Sequence, residues 1–320
     1  MPAEWAPHER CLMAWPCRRE LWGELLDQAK ADHATVAHAV ARFEPVLMVA
    51  RPGDGAEAEA ALDGDIEVLE LAIDDSWLRD SGPVILLGSE GRRAGADFRF
   101  NAWGEKFSPW GDDDALAGRL LGHLGIERHA APFVLEGGSI CSDGQGTLIT
   151  TEQCLLHPSR NPGMDREEIE QGLCDFLGVQ RVVWLGRGLV EDRDTDGHVD
   201  LIAAFAPSGA VVLQTVPDDN PNAASCAENA RRLRAADLEV VEVRGLPYAE
   251  VAGEQVPVAP LNFYIADGAL IVPVTDGVPA PPELAAAYPD HEIVGVPGAV
   301  LAHGGGGPHC ITQQVPAPAL

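Results

Sequence analysis

The stretch Ala302 to Pro316, AHGGGGPHCITQQVP, delivers a histidine and a cysteine shortly after four consecutive glycines. Glycine loses more backbone freedom on folding than any other residue, so such a run implies that the backbone must pass close to something near Cys310. A cysteine works as a nucleophile when it has a base or cationic partner and access to substrate; otherwise it is commonly a small buried hydrophobe. His309 adjoins it, but neighbours in a β-type segment face opposite sides, which leaves His198 of DGHVD as the candidate partner. In a strand, Asp200 shares the face of His198, and a carboxylate beside an imidazole favours the cationic form that donates a proton near neutrality. The alternative is a His/Asp pair hydrogen-bonded for stability alone.

Asp80 in WLRDSGP, Glu136 in LEGGS and Asn262 in NFYIADG add two more carboxylates and an amide. Several carboxylates around a neutral electrophile would repel a developing oxyanion. Around a planar cation they are useful, because a guanidinium offers a rigid fork of donors that carboxylates accept in pairs. Neither HExxH nor CxxC occurs, so no metal site and no cofactor is expected.

These residues fall at similar places in a repeat. Apolar runs at Pro45, Arg181, Leu238 and Glu292 each follow a helical stretch, at Arg18 to Phe43, Asp165 to Leu177, Ala223 to Ala236 and Pro281 to Tyr288. A fifth helix, Asp112 to Leu124, precedes the weaker strand IERHA. Hairpins marked by Asp-Gly and Ser-Gly pairs follow most of the strands. The pattern predicts about five ββαβ units arranged in a ring, with an insertion in the longer first interval. The last unit lacks a hairpin partner, which the segment CLMAWP can supply, closing the circle. Asp80, Glu136, His198 with Asp200, Asn262 and Cys310 then stand at equivalent positions and converge on the axis. A doubly wound α/β sheet is the alternative, but it lacks a GxGxxG or GxxxxGK[ST] fingerprint.

The 320 residues, 46% hydrophobic, suffice for one large core and show no linker or composition break, so a single domain over 1–320 is expected. With 50 acidic against 22 basic residues, a formal net charge of -28 argues against nucleic acid and anionic membranes as partners and suits a small cationic ligand. Self-association into a homo-oligomer stays open. Seven cysteines without a paired framework, no apolar run long enough to span a membrane and no signal-peptide pattern point to a cytoplasmic address.

EWAPHERCLMAWP, DDSWLRDSGP, FNAWG, LEGGS, TTEQCLL with RNP, DGHVD and GGGGPHCITQQVP, in this order, resemble the agmatine deiminase and bacterial-type peptidylarginine deiminase family. The resemblance implies the five-bladed α/β propeller of guanidine-modifying enzymes, with Cys310 as nucleophile, His198 as general acid/base and Asp80 and Asp200 as guanidinium-binding carboxylates. It implies Glu136 as a further active-site acid, and an S-alkylthiouronium intermediate formed without cofactor. Trp77, Trp103, Asp196 and Gly306 are the further expected substrate contacts. CITQQ is closer to agmatine deiminases, whereas EDRDTDGHVD departs from their common ETNGHVD at Asp194 and Asp196. The competing readings are deimination of peptidyl or free arginine, with Arg79, Arg99 or Arg193 as carboxylate anchor, and a non-catalytic propeller that binds polyamines or a protein.

Overall fold

The computed structural model describes residues 1–62, 64–88 and 91–318. Five of its sheets follow one plan: two antiparallel strands, then a crossover through helix to a parallel third strand. They comprise Val84–Leu87, Arg93–Arg99 and Glu127–Val134; Cys141–Ser142, Thr147–Thr151 and Arg181–Leu185; Ala203–Phe205, Val211–Thr215 and Val240–Arg244; and Tyr264–Ala266, Ala269–Val274 and Glu292–Pro297. The remaining one pairs Thr312–Pro316 antiparallel to His8–Ala14, with Met13 opposite Thr312, and His8–Ala14 parallel to Val46–Ala50. The expected loan of the CLMAWP strand to the last unit is therefore met.

Strand Glu67–Glu70 extends that first sheet, following helix Gly55–Ala61, and accounts for the longer first interval. A sixth sheet, the hairpin of Tyr248–Val251 and Glu254–Pro257, is a further insertion. The expected helix Arg18 to Phe43 is divided into Arg19–Trp22 and Leu26–Ala41 by a 3-10 turn at Gly23–Leu25, where Gly23 adopts φ +50°. The turn of the hairpin GPVILLGSEGRRAGADFRFN includes positions 89 and 90, outside the described residues.

Alternation along the strands explains how the sheets are held together. Met13 and Met48 of the first sheet contribute to one hydrophobic core, whereas Leu12, Ala14, Leu47 and Val49 enter another that contains Ile85 of the second sheet. Val84 of the second shares a core with Leu148 of the third, and Ile149 shares one with Val211 and Leu213 of the fourth. Val212 packs with Leu270 and Val272 of the fifth sheet, and Ile271 returns to the core of Met13 and Met48. Each sheet is thus apolar on both faces, and each core serves two sheets. Among the described residues no helix is long and apolar enough to cross a membrane.

Candidate active site

The polar site residues sit in tight turns that lead into the hairpins. Asp80 lies in the helical turn Leu78–Ser81, Glu136 precedes the 3-10 turn Gly137–Ser139, and His198 precedes the 3-10 turn Val199–Leu201, which contains Asp200. His198 and Asp200 are therefore not on a strand, as the alternation argument requires. Their side chains meet nonetheless, because a Cβ added at Gly138 would lie 2.7 Å from His198 Nδ1, 2.8 Å from Asp200 Oδ2 and 2.9 Å from Asp80 Oδ1. Only a residue without a side chain lets three catalytic candidates converge there.

Asp80 is fixed at both oxygens: Gly138 N donates to Oδ1 at 2.8 Å and Trp103 Nε1 to Oδ2 at 2.9 Å. Burial pushes its carboxyl up, and the charges of Asp200 and Glu136 add to this against the pull of His198. Cys310 Sγ lies 3.4 Å from Asp200 Oδ2 and 3.3 Å from Asn262 Oδ1. Burial, then the charges of Asp200 and Asp80, hold this thiol far above the usual cysteine range, so without a cation nearby it is neutral.

Cys310 also departs from the β-type placement, since residues 308–311 are turns and the strand begins at Thr312. His309 consequently does not turn away from the site. Its Nδ1 lies 2.8 Å from Asp200 Oδ2, while Nε2 lies 3.0 Å from Glu4 Oε1. Burial and the Arg79 charge oppose protonation of His309, but Glu4 and Asp200 outweigh them and raise its pKa. Glu4 is drawn down to about 2: burial raises it, and the charges of His309 and Arg79 more than reverse this. Asp200 behaves likewise; burial raises it, but the His309 hydrogen bond and charge leave it low. Asp200 thus stands between His309, whose cationic form it favours, and the thiol.

The front of the site has its hydrogen-bonding capacity free. Glu136 Oε2, both ring nitrogens of His198 and Asp200 Oδ1 are buried without a hydrogen-bond partner, Asp80 Oδ1 lying 3.8 Å from His198 Nδ1. Buried polar atoms are nearly always satisfied, so four orphans facing one region mark where a ligand with donors belongs. A chamber of about 10 Å³ on the Asp80 and Cys310 side is lined by Trp77, Asp80, Trp103, Asp194, Gly305 and Cys310 among others. An outer cleft of about 500 Å³ shares Asp194 and Gly305 with it.

A model of the Porphyromonas-type peptidyl-arginine deiminase family matches residues 1–316. The chain belongs to that family. Among its relatives, the agmatine deiminase of Pseudomonas putida is 42% identical over 353 residues, with 99% of this chain and 95% of the relative covered. The solved structure of an agmatine deiminase from Enterococcus faecalis superposes with a TM-score of 0.95 at 32% identity, covering 100% of this chain and 96% of that one. That of the C. jejuni agmatine deiminase gives 0.90 at 25%, with the same coverage. The mixed α/β fold is that of these deiminases.

The remaining expected contacts in this family member divide into two groups. Trp77 lines the chamber and stacks on Trp22, with centroids 5.8 Å apart. Trp103 also lines it, while its indole N–H orients Asp80. Gly306 approaches Cys310 so closely that a Cβ would lie 2.8 Å from its Sγ and 2.7 Å from the Trp77 ring, and Gly305 holds φ +110°. Asp196, in contrast, is engaged by Arg160 at 2.7 Å and Lys106 at 2.8 Å, and Asp194 is the acidic residue of that loop that faces the chamber.

Four contributors went unassigned in the sequence. Arg160 of RNP clamps Glu136 Oε1 at 2.6 Å and the Thr195 carbonyl at 2.9 Å. Asp192 builds the turn that presents His198, accepting from Gly197 N at 2.8 Å and His198 N at 3.1 Å. Glu4 and His309 complete the rear of the site. Arg160 and Glu4 lie inside the resembling motifs, which was the available signal; their partners are distant in sequence.

Proposed function

We propose that this chain is an agmatine deiminase, a hydrolase acting on the C–N bond of a guanidine to give N-carbamoylputrescine and ammonia. The observation that carries the reading is a set of orphaned atoms, Glu136 Oε2, Asp200 Oδ1 and the His198 ring, beside a carboxylate whose other oxygen lies 3.4 Å from the neutral thiol; they await a planar, multiply donating cation.

Asp80 and Asp200 accept N–H bonds from the guanidinium, and Glu136 accepts from one of its nitrogens. The bound positive charge offsets the carboxylate repulsion that keeps Cys310 protonated, so binding favours the thiolate. Sγ bonds to the central carbon; His198 donates a proton to one nitrogen as its C–N bond breaks, releasing ammonia and leaving an S-alkylthiouronium. His198 then removes a proton from water, oxygen adds to the same carbon and the C–S bond breaks. The ureido product and a free thiol remain.

Asp194 is the proposed partner of the distal ammonium. Burial, then the neighbouring Asp192, raise its carboxyl, a state that a substrate cation relieves. The five sheets and their chain of shared cores support the reading of residues 1–320 as one five-bladed α/β propeller around this site. Among the candidate arginine anchors, Arg79 lies 3.6 Å from Glu4 and Arg99 pairs with Asp114 at the surface; Arg193 lines the outer cleft. Deimination of arginine through Arg193 is therefore the second reading. Ureido product measured from agmatine, free arginine and a C-terminal arginyl peptide, with Cys310→Ala as control, should favour agmatine at least tenfold in kcat/KM. A preference for arginine overturns the substrate assignment.

A further inference from the structure

Cys154 of TTEQCLL lies buried in the helical turn Glu152–Leu155. The Thr151 hydroxyl accepts from Cys154 N at 3.2 Å and donates to the Gly197 carbonyl at 2.6 Å, which ties this turn to the loop presenting His198. The Cys154 sulfur, a carboxylate oxygen of Glu136 and a ring nitrogen of His198 all lie within 4.8 Å of one another. All three side chains are buried, and Glu136 Oε2 and both His198 nitrogens lack hydrogen-bond partners.

We propose that Glu136, Cys154 and His198 form an inhibitory site for a soft divalent cation of the zinc class, which excludes the guanidine substrate by occupying His198. Sulfur, imidazole nitrogen and carboxylate oxygen are the donors such an ion prefers, with bonds of about 2.0 to 2.3 Å that place tetrahedral ligands some 3 to 4 Å apart. The observed separations approach this before any ion draws the ligands inward. One thiolate and one carboxylate neutralise the dication, and water is the expected fourth ligand. The Arg160 charge bears on Glu136 from the opposite oxygen and is itself paired with Asp196. Binding releases the Cys154 proton to solvent and involves no oxidation or reduction. A search for closely spaced ligands misses the group because Glu136 and Cys154 are far apart along one sheet unit and His198 belongs to the next.

The existence of the site is independent of the substrate; its inhibitory effect rests on the proposed role of His198. The test is titration of the metal-free full chain with Co²⁺, whose thiolate charge-transfer absorption reports sulfur ligation, followed by Zn²⁺ competition and inhibition assays with agmatine. One Co²⁺ per chain is expected, with a thiolate band that Zn²⁺ removes. The band should persist in Cys310→Ser, disappear in Cys154→Ser and require at least tenfold more Co²⁺ in His198→Asn. In Cys154→Ser, Zn²⁺ inhibition, normalised to that variant's metal-free rate, should need at least tenfold more zinc. Absence of a band in the wild type overturns the proposal, as does its loss in Cys310→Ser or unchanged affinity in His198→Asn. The last two variants decide the matter even if Cys154→Ser does not fold. A wild type that binds Co²⁺ this way yet deiminates nothing upholds the site and defeats the functional reading.

Discussion

Two buried histidine clusters show opposite hydrogen-bonding habits. His8 is saturated: Nδ1 lies 2.9 Å from Glu44 Oε2 and Nε2 2.9 Å from the Glu4 carbonyl. Glu44 also accepts from Tyr264 at 2.6 Å and from Asp267 N at 2.9 Å, so every strong donor has a partner. His198 is equally buried and has neither ring nitrogen satisfied. The first arrangement stabilises a joint between the first and fifth sheets. The second forgoes stability and leaves valence free for chemistry. Burial and residue type are alike in both; what separates structure from function is whether the polar atoms already have partners.

Removal of chemistry from the unsatisfied cluster should give the largest effects. Cys310→Ala should lower kcat by at least ~10⁴-fold with an unchanged circular dichroism spectrum, since no other group supplies a covalent nucleophile. His198→Gln should cost about 10²- to 10⁴-fold, the usual range for a positioned acid/base. Retention of near-normal turnover by either variant would erase the distinction between the clusters. Gly306→Ala forces either Trp77 or the nucleophile to move, and a shift of this kind should cost on the order of 10²-fold in kcat while the protein remains folded.

Subtler changes address the rear of the site. Glu4→Gln removes the carboxylate that helps to keep His309 cationic; Asp200 then becomes easier to protonate. The acid limb of the kcat/KM profile should move to higher pH, with activity down about tenfold near neutrality. An unshifted limb would show that Glu4 serves structure alone.

In the saturated cluster, His8→Gln should leave kcat within about twofold and lower Tm, reflecting a loss of about 1 to 3 kcal/mol. Burial lowers the His8 pKa, but Glu44 and Asp267 outweigh it, so the folded value lies above the ordinary 6.5. The linked stabilisation is complete below that ordinary value and is lost as pH rises through the higher folded one. The Tm difference between wild type and His8→Gln should accordingly be greater at pH 6 than at pH 9. A difference independent of pH would remove the ionic part of the argument.

Much of this arrangement was legible in the residues. Hairpin signals and helix-to-strand alternation are local properties, and they located the repeated units and the loan of the first strand. The motifs also drew attention to Cys310, His198, Asp80, Glu136 and Asp200. The local geometry was less accessible: Asp200 and His309 were expected on strands but occupy tight turns, the first shaped by Asp192 and Thr195, the second by the bonds from His309 N to the Asn262 carbonyl and from the Thr312 hydroxyl to the Pro308 carbonyl. The ion pairing of Asp196, expected as a substrate contact, was hidden for a related reason. Its neutralising partners, Arg160 and Lys106, come from other parts of the chain, and no periodicity announces them.

The pairing of Thr312–Pro316 with His8–Ala14 bears on when the protein becomes reactive. This contact joins segments with nearly the whole described chain between them, the kind of encounter that is slow and forms late because so much disorder must be surrendered first. Cys310 lies immediately before that joining strand, and Glu4 lies shortly before the other. A partly folded chain therefore has Cys310 detached from Glu4. Under the proposed mechanism assembly itself acts as a safety catch, and reactivity arrives only when these two segments have found each other.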